Sequence, residues 1–302
     1  MTRETFWRND YRATRYMQHL DDDKLKVRAG DIFSNLLVLT LDAKIGLPPL
    51  NADTEQWMRI WTHILEEFVI RFGSYPAGFD TGFIRDTPVP DPRAELAERA
   101  AFFVKNRQEH QTKSFFKYGK SKYMKPAFEG GLIRVNSAAN YDDPSLNHAI
   151  RDDELSVTLN PSPEGFRIDV FDGQTRNAKG SMKPTDIEFT TTSQSNYFVY
   201  CLSQALCPRL FQDFDDADSC LIISKPDTFV DRLAKGMRER CMDYDPFSGQ
   251  VNYVDPLTQP PKRGDVFFTK HFRYAYQREF RIAWLPRSPK EELHPEFLEL
   301  GT

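Results

Sequence analysis

The chain has 302 residues, 40% of them hydrophobic and 13% aromatic, which is enough apolar material for one large domain or two small ones. Its formal charge of −4 gives no global attraction to nucleic acid or membranes, so any basic site must be local. No apolar run reaches the length of a membrane span: the longest, Ile32 to Leu41, is interrupted by Ser34, Asn35 and Thr40.

The polar start, Met1-Thr2-Arg3-Glu4-Thr5-Phe6-Trp7-Arg8-Asn9-Asp10, lacks the apolar stretch of a secretory signal. Residues 1–112 read as a helical region. Asp21-Asp22-Asp23 leads into a segment with Val27, Ile32, Leu36, Leu37 and Leu39 at roughly helical spacing, and Gly30 predicts a break or kink within it. Asp53 is the expected cap of a second helix carrying Trp57, Ile60, Trp61, Ile64, Leu65, Phe68, Val69 and Phe72, with Gly73 as its stop. Residues 74–92 read as a loop rich in proline and glycine. Asp91-Pro92 then starts a helix expected to run to about Gln111.

From Lys113 onward short strands alternate with turns. Strands are expected at 114–118, 132–136, 155–159, 166–171, 186–191, 197–202, 220–224, 251–254, 266–269 and 274–285. Helices are expected at 120–129, 204–213 and 228–241. Many strands with few intervening helices predict an α+β domain over 113–302, mostly antiparallel, preceded by the helical region. No P-loop, Gly-x-Gly-x-x-Gly motif or internal repeat is present. The four cysteines, Cys201, Cys207, Cys220 and Cys241, form no CxxC pair. With six scattered histidines they give no zinc spacing, so reduced cysteines in a cytoplasmic protein without a metal are the expectation.

Four segments carry candidate chemistry. The run 113–125 holds five lysines and four aromatics without an acid, a composition that can hold phosphates and stack bases; a solvated lysine face is the competing reading. Asn140-Tyr141-Asp142-Asp143-Pro144 is a turn. The segment 197–204 reads as a buried strand ending at Ser203, which either meets a ligand or caps a helix. The last, 274–284, alternates as strands do and places Gln277, Glu279 and Arg281 on one face, neighbours about 6–7 Å apart. A carboxylate among aromatic neighbours either pairs with a charge, here Arg281 or Arg278, or stabilises a cation formed in a reaction.

In their order these segments resemble a bacterial domain-of-unknown-function family. Its counterparts here are Lys117-Tyr118-Gly119, then Gly131-Leu132-Ile133-Arg134-Val135 followed by Asp142-Asp143-Pro144, then Cys201-Leu202-Ser203, and Lys270 through Arg281. The order is also similar to that of ADP-ribosyltransferases of the Gln-x-Glu type. That resemblance implies a split-sheet ADP-ribosyltransferase-like domain using NAD as substrate. It implies Glu279 as the catalytic glutamate, Gln277 as the residue placing the acceptor, and Lys117, Tyr118, Ser203, Tyr276 and Arg281 around NAD. The middle motif, Cys-Leu-Ser, departs from the family's Ser-Thr-Ser, and Lys117 stands where an arginine or histidine is expected. The resemblance further implies a toxin or phage-defence effector acting on nucleic acid or on a protein side chain other than arginine. A neutralising protein partner would dock on the N-terminal helices. The alternative is a noncatalytic module binding nucleic acid or protein, with Glu279 tied up by Arg281.

Overall fold

The computed structural model describes residues 1–74, 94–110, 113–214, 217–257 and 266–301. The chain folds as a mixture of helices and mainly antiparallel sheet. No helix among the described residues is long and apolar enough to cross a membrane. The expected start at Asp91-Pro92, the loop before it and the end at Gln111 fall outside the described residues; the helix itself is described as α4, Ala94–Lys105.

Three helices build the N-terminal part: α1 (Arg3–Thr14), α2 (Asp22–Leu36) and α3 (Ala52–Phe72). Asp21 caps α2 by accepting from the Lys24 amide at 2.7 Å. Gly30 does not break this helix: its flanking turns pack on α3, and burial of Ala29, Ile32 and Leu36 outweighs one glycine. Asn51, not Asp53, caps α3, because Thr54 completes a reciprocal capping box with it. Two fully buried acids of α3 bind α1. Glu66 takes Arg8 and Arg12, while Glu67 takes Arg15 and the Tyr11 hydroxyl.

These helices share a core with the C-terminal region. Leu257 and Phe272 pack among Tyr11, Leu25, Ile64 and Phe68, and the buried pair Arg28–Asp255 is bidentate at 2.8 and 2.7 Å. Some N-terminal aromatics pack inward, Trp57 half-buried on Phe272 and Trp61 on Phe33, while Phe6 and Phe102 stay exposed.

The main sheet contains β1 (Phe115–Gly119), β2 (Leu132–Ser137), β3 (Phe198–Ser203), β4 (Ser219–Ile223), β5 (Tyr244–Gln250), β6 (Glu279–Pro286) and β7 (Glu296–Glu299). The order is β4-β1-β3-β6-β5, with β7 on β2 and β2 also on β3. Every one of these pairings is antiparallel. Because β6 occupies one edge of β3, both β1 and β2 share the other: Ser203 pairs with Phe116, whereas Phe198 and Val199 pair with Ser137 and Asn136. Between those contacts the sheet forks. Helices α5 (Ser121–Gly130), α6 (Pro208–Asp213) and α7 (Pro226–Arg240) flank it, with α4 on α6.

Several strand boundaries differ from expectation. Residues 266–268 are a 3-10 turn, and the strand there is Thr269–His271, paired in parallel with Asn252–Val254. The expected strand at 186–191 begins only at Phe189. Five strands lacked a sequence signal: the short pair Val38–Leu39 and Ile45–Gly46, then Ala178–Met182, Tyr244–Gln250 and Glu296–Glu299. The largest correction concerns 274–285. Phe272–Gln277 forms a 3-10 turn, Arg278 takes a left-handed backbone (φ 47°), and the strand starts at Glu279. Gln277 and Glu279 therefore do not alternate on one strand. Tertiary bonds hold the turn: Tyr276 N–H donates to Asn35 of α2, Tyr274 OH to the Arg151 carbonyl, and Gln277 Nε2 to the Ala149 carbonyl.

Candidate functional site

A cavity of about 310 Å³ opens in the fork of the sheet. Its walls come from β1 and the start of α5 (Phe116 to Lys120, Tyr123, Met124), from Asn136 of β2, and from Cys201 to Ser203 of β3. Tyr141, Ala149, Ile150 and Glu154, with Lys270, Gln277 and Glu279, complete it. The lining is mostly apolar with a charged floor.

The β3 edge explains the position of Lys117. Cys201 has no strand partner on the forked side, and Lys117 Nζ donates to its carbonyl at 2.8 Å while lying 4.7 Å from the Tyr200 ring centroid. Burial lowers the Lys117 pKa, against the opposite pull of Cys201 and Glu279. Ser203 and Tyr118 line the cavity with committed hydroxyls. Ser203 Oγ donates to the Gln277 carbonyl at 2.7 Å and accepts from the Ala205 amide, and Tyr118 OH donates to the Ala205 carbonyl at 2.7 Å.

Glu279 is 5% exposed and sits directly across β3 from Phe116, since Ser203 pairs with both. Its Oε1 accepts from Arg281 Nε at 2.5 Å and its Oε2 from Lys270 Nζ at 3.2 Å; the backbone N–H donates to Tyr253 OH. Arg281 is fully buried. It also donates to the Phe267 carbonyl at 3.0 Å and meets Glu154 Oε2 at 2.5 Å as an ion pair. Lys270 completes the cluster, 3.5 Å from Glu154 Oε1 and 3.6 Å from Asp152 Oδ2, with the Tyr274 ring centroid at 4.5 Å.

Burial opposes the charge of Glu279, but Arg281 and Lys270 outweigh it and hold the carboxyl well below the usual carboxylate range. Glu154 moves the other way. Burial raises it more than the same two cations lower it, and the Asp152 and Glu279 charges add to the rise. Three carboxylates against two cations leave an excess negative charge, which the more weakly matched Glu154 relieves by keeping its proton longer. The cluster thus presents an ionised carboxylate and a carboxyl of raised pKa to one cavity.

The cavity therefore gathers Lys117, Tyr118, Ser203, Gln277 and Glu279. Tyr276 lies elsewhere, lining a second cavity of about 490 Å³ with its ring 3.6 Å from the Arg209 guanidinium. Arg281 lies beneath the floor, bound to Glu279 itself. Lys270, Glu154, Asp152 and Asn136 carry no site signal of their own in the sequence: Asn136 lines the cavity, and Lys270 meets Asp152 and Glu154 from a distant segment, so only the acids at 152–154 offer a local signal. The basic run is divided: Phe116 and Tyr118 enter the core, and Lys113, Lys122, Tyr123 and Lys125 stay exposed. No group of His, Cys, Asp or Glu among the described residues could hold a metal ion, and the four cysteines are free. In comparisons with family models, curated proteins and solved structures, nothing matched the chain.

Proposed function

We propose that this cavity binds the nicotinamide-ribose end of NAD and that the protein is an ADP-ribosyltransferase of the toxin or defence-effector kind, with an antiparallel split sheet of that fold type. The carrying observation is the alignment of three adjacent strands. β1, β3 and β6 deliver Lys117 and Tyr118, Ser203, and Glu279 to one cavity, with Phe116, Ser203 and Glu279 in register across them. The volume suits the nicotinamide riboside portion, leaving the adenine half toward Lys120 and the exposed Tyr123.

In this reading the bond between nicotinamide and ribose breaks with its electron pair leaving on the nicotinamide nitrogen. The ribose carbon becomes cationic, and Glu279, ionised and shielded from water, faces that charge. Arg281 fixes the carboxylate through one oxygen, so its aim costs no reorganisation. The acceptor's nucleophile then bonds the same carbon and releases its proton. Labelled NAD incubated with the protein and a cell extract tests this: label in the nucleic-acid or protein fraction supports transfer, and nicotinamide release without fixed label marks hydrolysis.

A second reading draws on one specific observation. Both oxygens of Glu279 are already engaged, as a noncatalytic binding module would have them. Intact NAD after incubation, together with retention of nucleic acid by the protein, would favour it.

A further inference from the structure

The two cations around Glu279 hold it in different ways. Arg281 makes short contacts, 2.5 Å to Glu279 Oε1 and 2.5 Å to Glu154 Oε2, and has a third anchor on the Phe267 carbonyl. Lys270 makes three longer ones, 3.2 Å to Glu279 Oε2, 3.5 Å to Glu154 Oε1 and 3.6 Å to Asp152 Oδ2. All three exceed the roughly 2.7–2.9 Å of an optimal charged N–H···O bond. An ammonium has three donors on a flexible stem, so it can trade one acceptor for another by a small rotation. The Tyr274 ring, 4.5 Å away, supports the cation whichever carboxylate it faces.

We infer that Lys270 is a movable clamp on Glu279: it yields Oε2 to the hydroxyl of an entering ligand and passes to Glu154 and Asp152, while Arg281 keeps the carboxylate in place. Lys270 is then a positioning residue, acting through Glu279. The hand-over conserves the charge of the cluster and leaves no buried cation unpaired, which is the condition that makes the exchange cheap. It also explains why three carboxylates surround two cations: one is the resting partner of Lys270, and the other two receive it. Asp152 lines the second cavity, so the exchange draws Lys270 toward that side.

The ligand used in the first arm of the test rests on the NAD reading; the second arm does not. In calorimetric titration, folded Lys270→Met is expected to bind NAD about tenfold more tightly than the natural chain, because Oε2 no longer has to be surrendered by a cation. The gain should vanish with an NAD analogue lacking the nicotinamide-ribose 2′-hydroxyl. A merely structural lysine would give weaker binding, and that result overturns the clamp. In the second arm the ¹H–¹⁵N ammonium signal of Lys270, assigned by its loss in Lys270→Met, is followed without ligand. It should persist in Glu279→Gln and disappear only when both receiving carboxylates are removed as well, by Glu154→Gln with Asp152→Asn. Its disappearance in Glu279→Gln alone would show that Lys270 has no second partner and would overturn the proposal. Absence of NAD binding by either protein would remove the NAD reading and leave the ammonium signal to decide the clamp.

Discussion

Replacing Arg281 by methionine tests the electrostatics of the site most severely. The guanidinium is fully buried and contacts Glu279, Glu154 and the Phe267 carbonyl. Its removal leaves two buried carboxylates sharing the ion pair of Lys270, together with Asp152. Breaking a buried pair from one side costs about 3–5 kcal/mol, because the partner stays desolvated. Arg281→Met should lose that much stability at neutral pH in urea unfolding followed by fluorescence and circular dichroism. The pH dependence has a definite sign. Without Arg281, burial raises both folded carboxyl pKa values above those of the unfolded chain, so the deficit is greatest at neutral pH. It shrinks toward about pH 5, as the folded carboxyls take up protons. Adding Glu279→Gln should restore part of the loss. A deficit below about 1 kcal/mol at neutral pH, or one that is the same at both pH values, would refute the reasoning.

Two further outcomes follow from other parts of the fold. His63 is 6% exposed, and burial, which Asp10 only partly counters, lowers its pKa to about 4. A depressed histidine pKa means that the unfolded chain binds the proton first, so stability falls as pH drops from about 6.5 toward about 4. The contribution is on the order of 3 kcal/mol, and His63→Gln should flatten the stability–pH curve over that window. Gly131 has φ +67° and an added Cβ would lie 2.4 Å from the Gly301 carbonyl oxygen, whereas Gly130 has nothing within 4 Å. Thermal melts should show Gly131→Ala destabilised by at least about 1–2 kcal/mol and Gly130→Ala neutral or slightly stabilised.

Much of the fold was legible because it is local. The apolar stripe from Trp57 to Phe72 is one long helix, and 115–119, 132–137 and 198–203 are strands close to where alternation places them. What remained hidden depends on distant partners. The turn at 272–277 carries a strand-like pattern, yet bonds to Asn35, Arg151 and Ala149 bend it, and no local feature announces them. Gln277 still reaches the cavity, through a left-handed step at Arg278 instead of strand alternation. Lys117 reads as a basic contact in the sequence, but its place follows from a Cys201 carbonyl left without a strand partner because the sheet forks. Lys270, Glu154 and Asp152 show the same limit, because a charge cluster drawn from separate segments has no spacing to read.

The reading of this cavity stands most directly on whether Glu279 faces a cation during turnover of NAD. Nicotinamide release by the natural chain, set beside that of a folded Glu279→Gln variant, measures this. The expected result is measurable release that falls by about 10²–10³-fold in the variant while NAD binding persists. Equal release by the two proteins, or none by either, would contradict it.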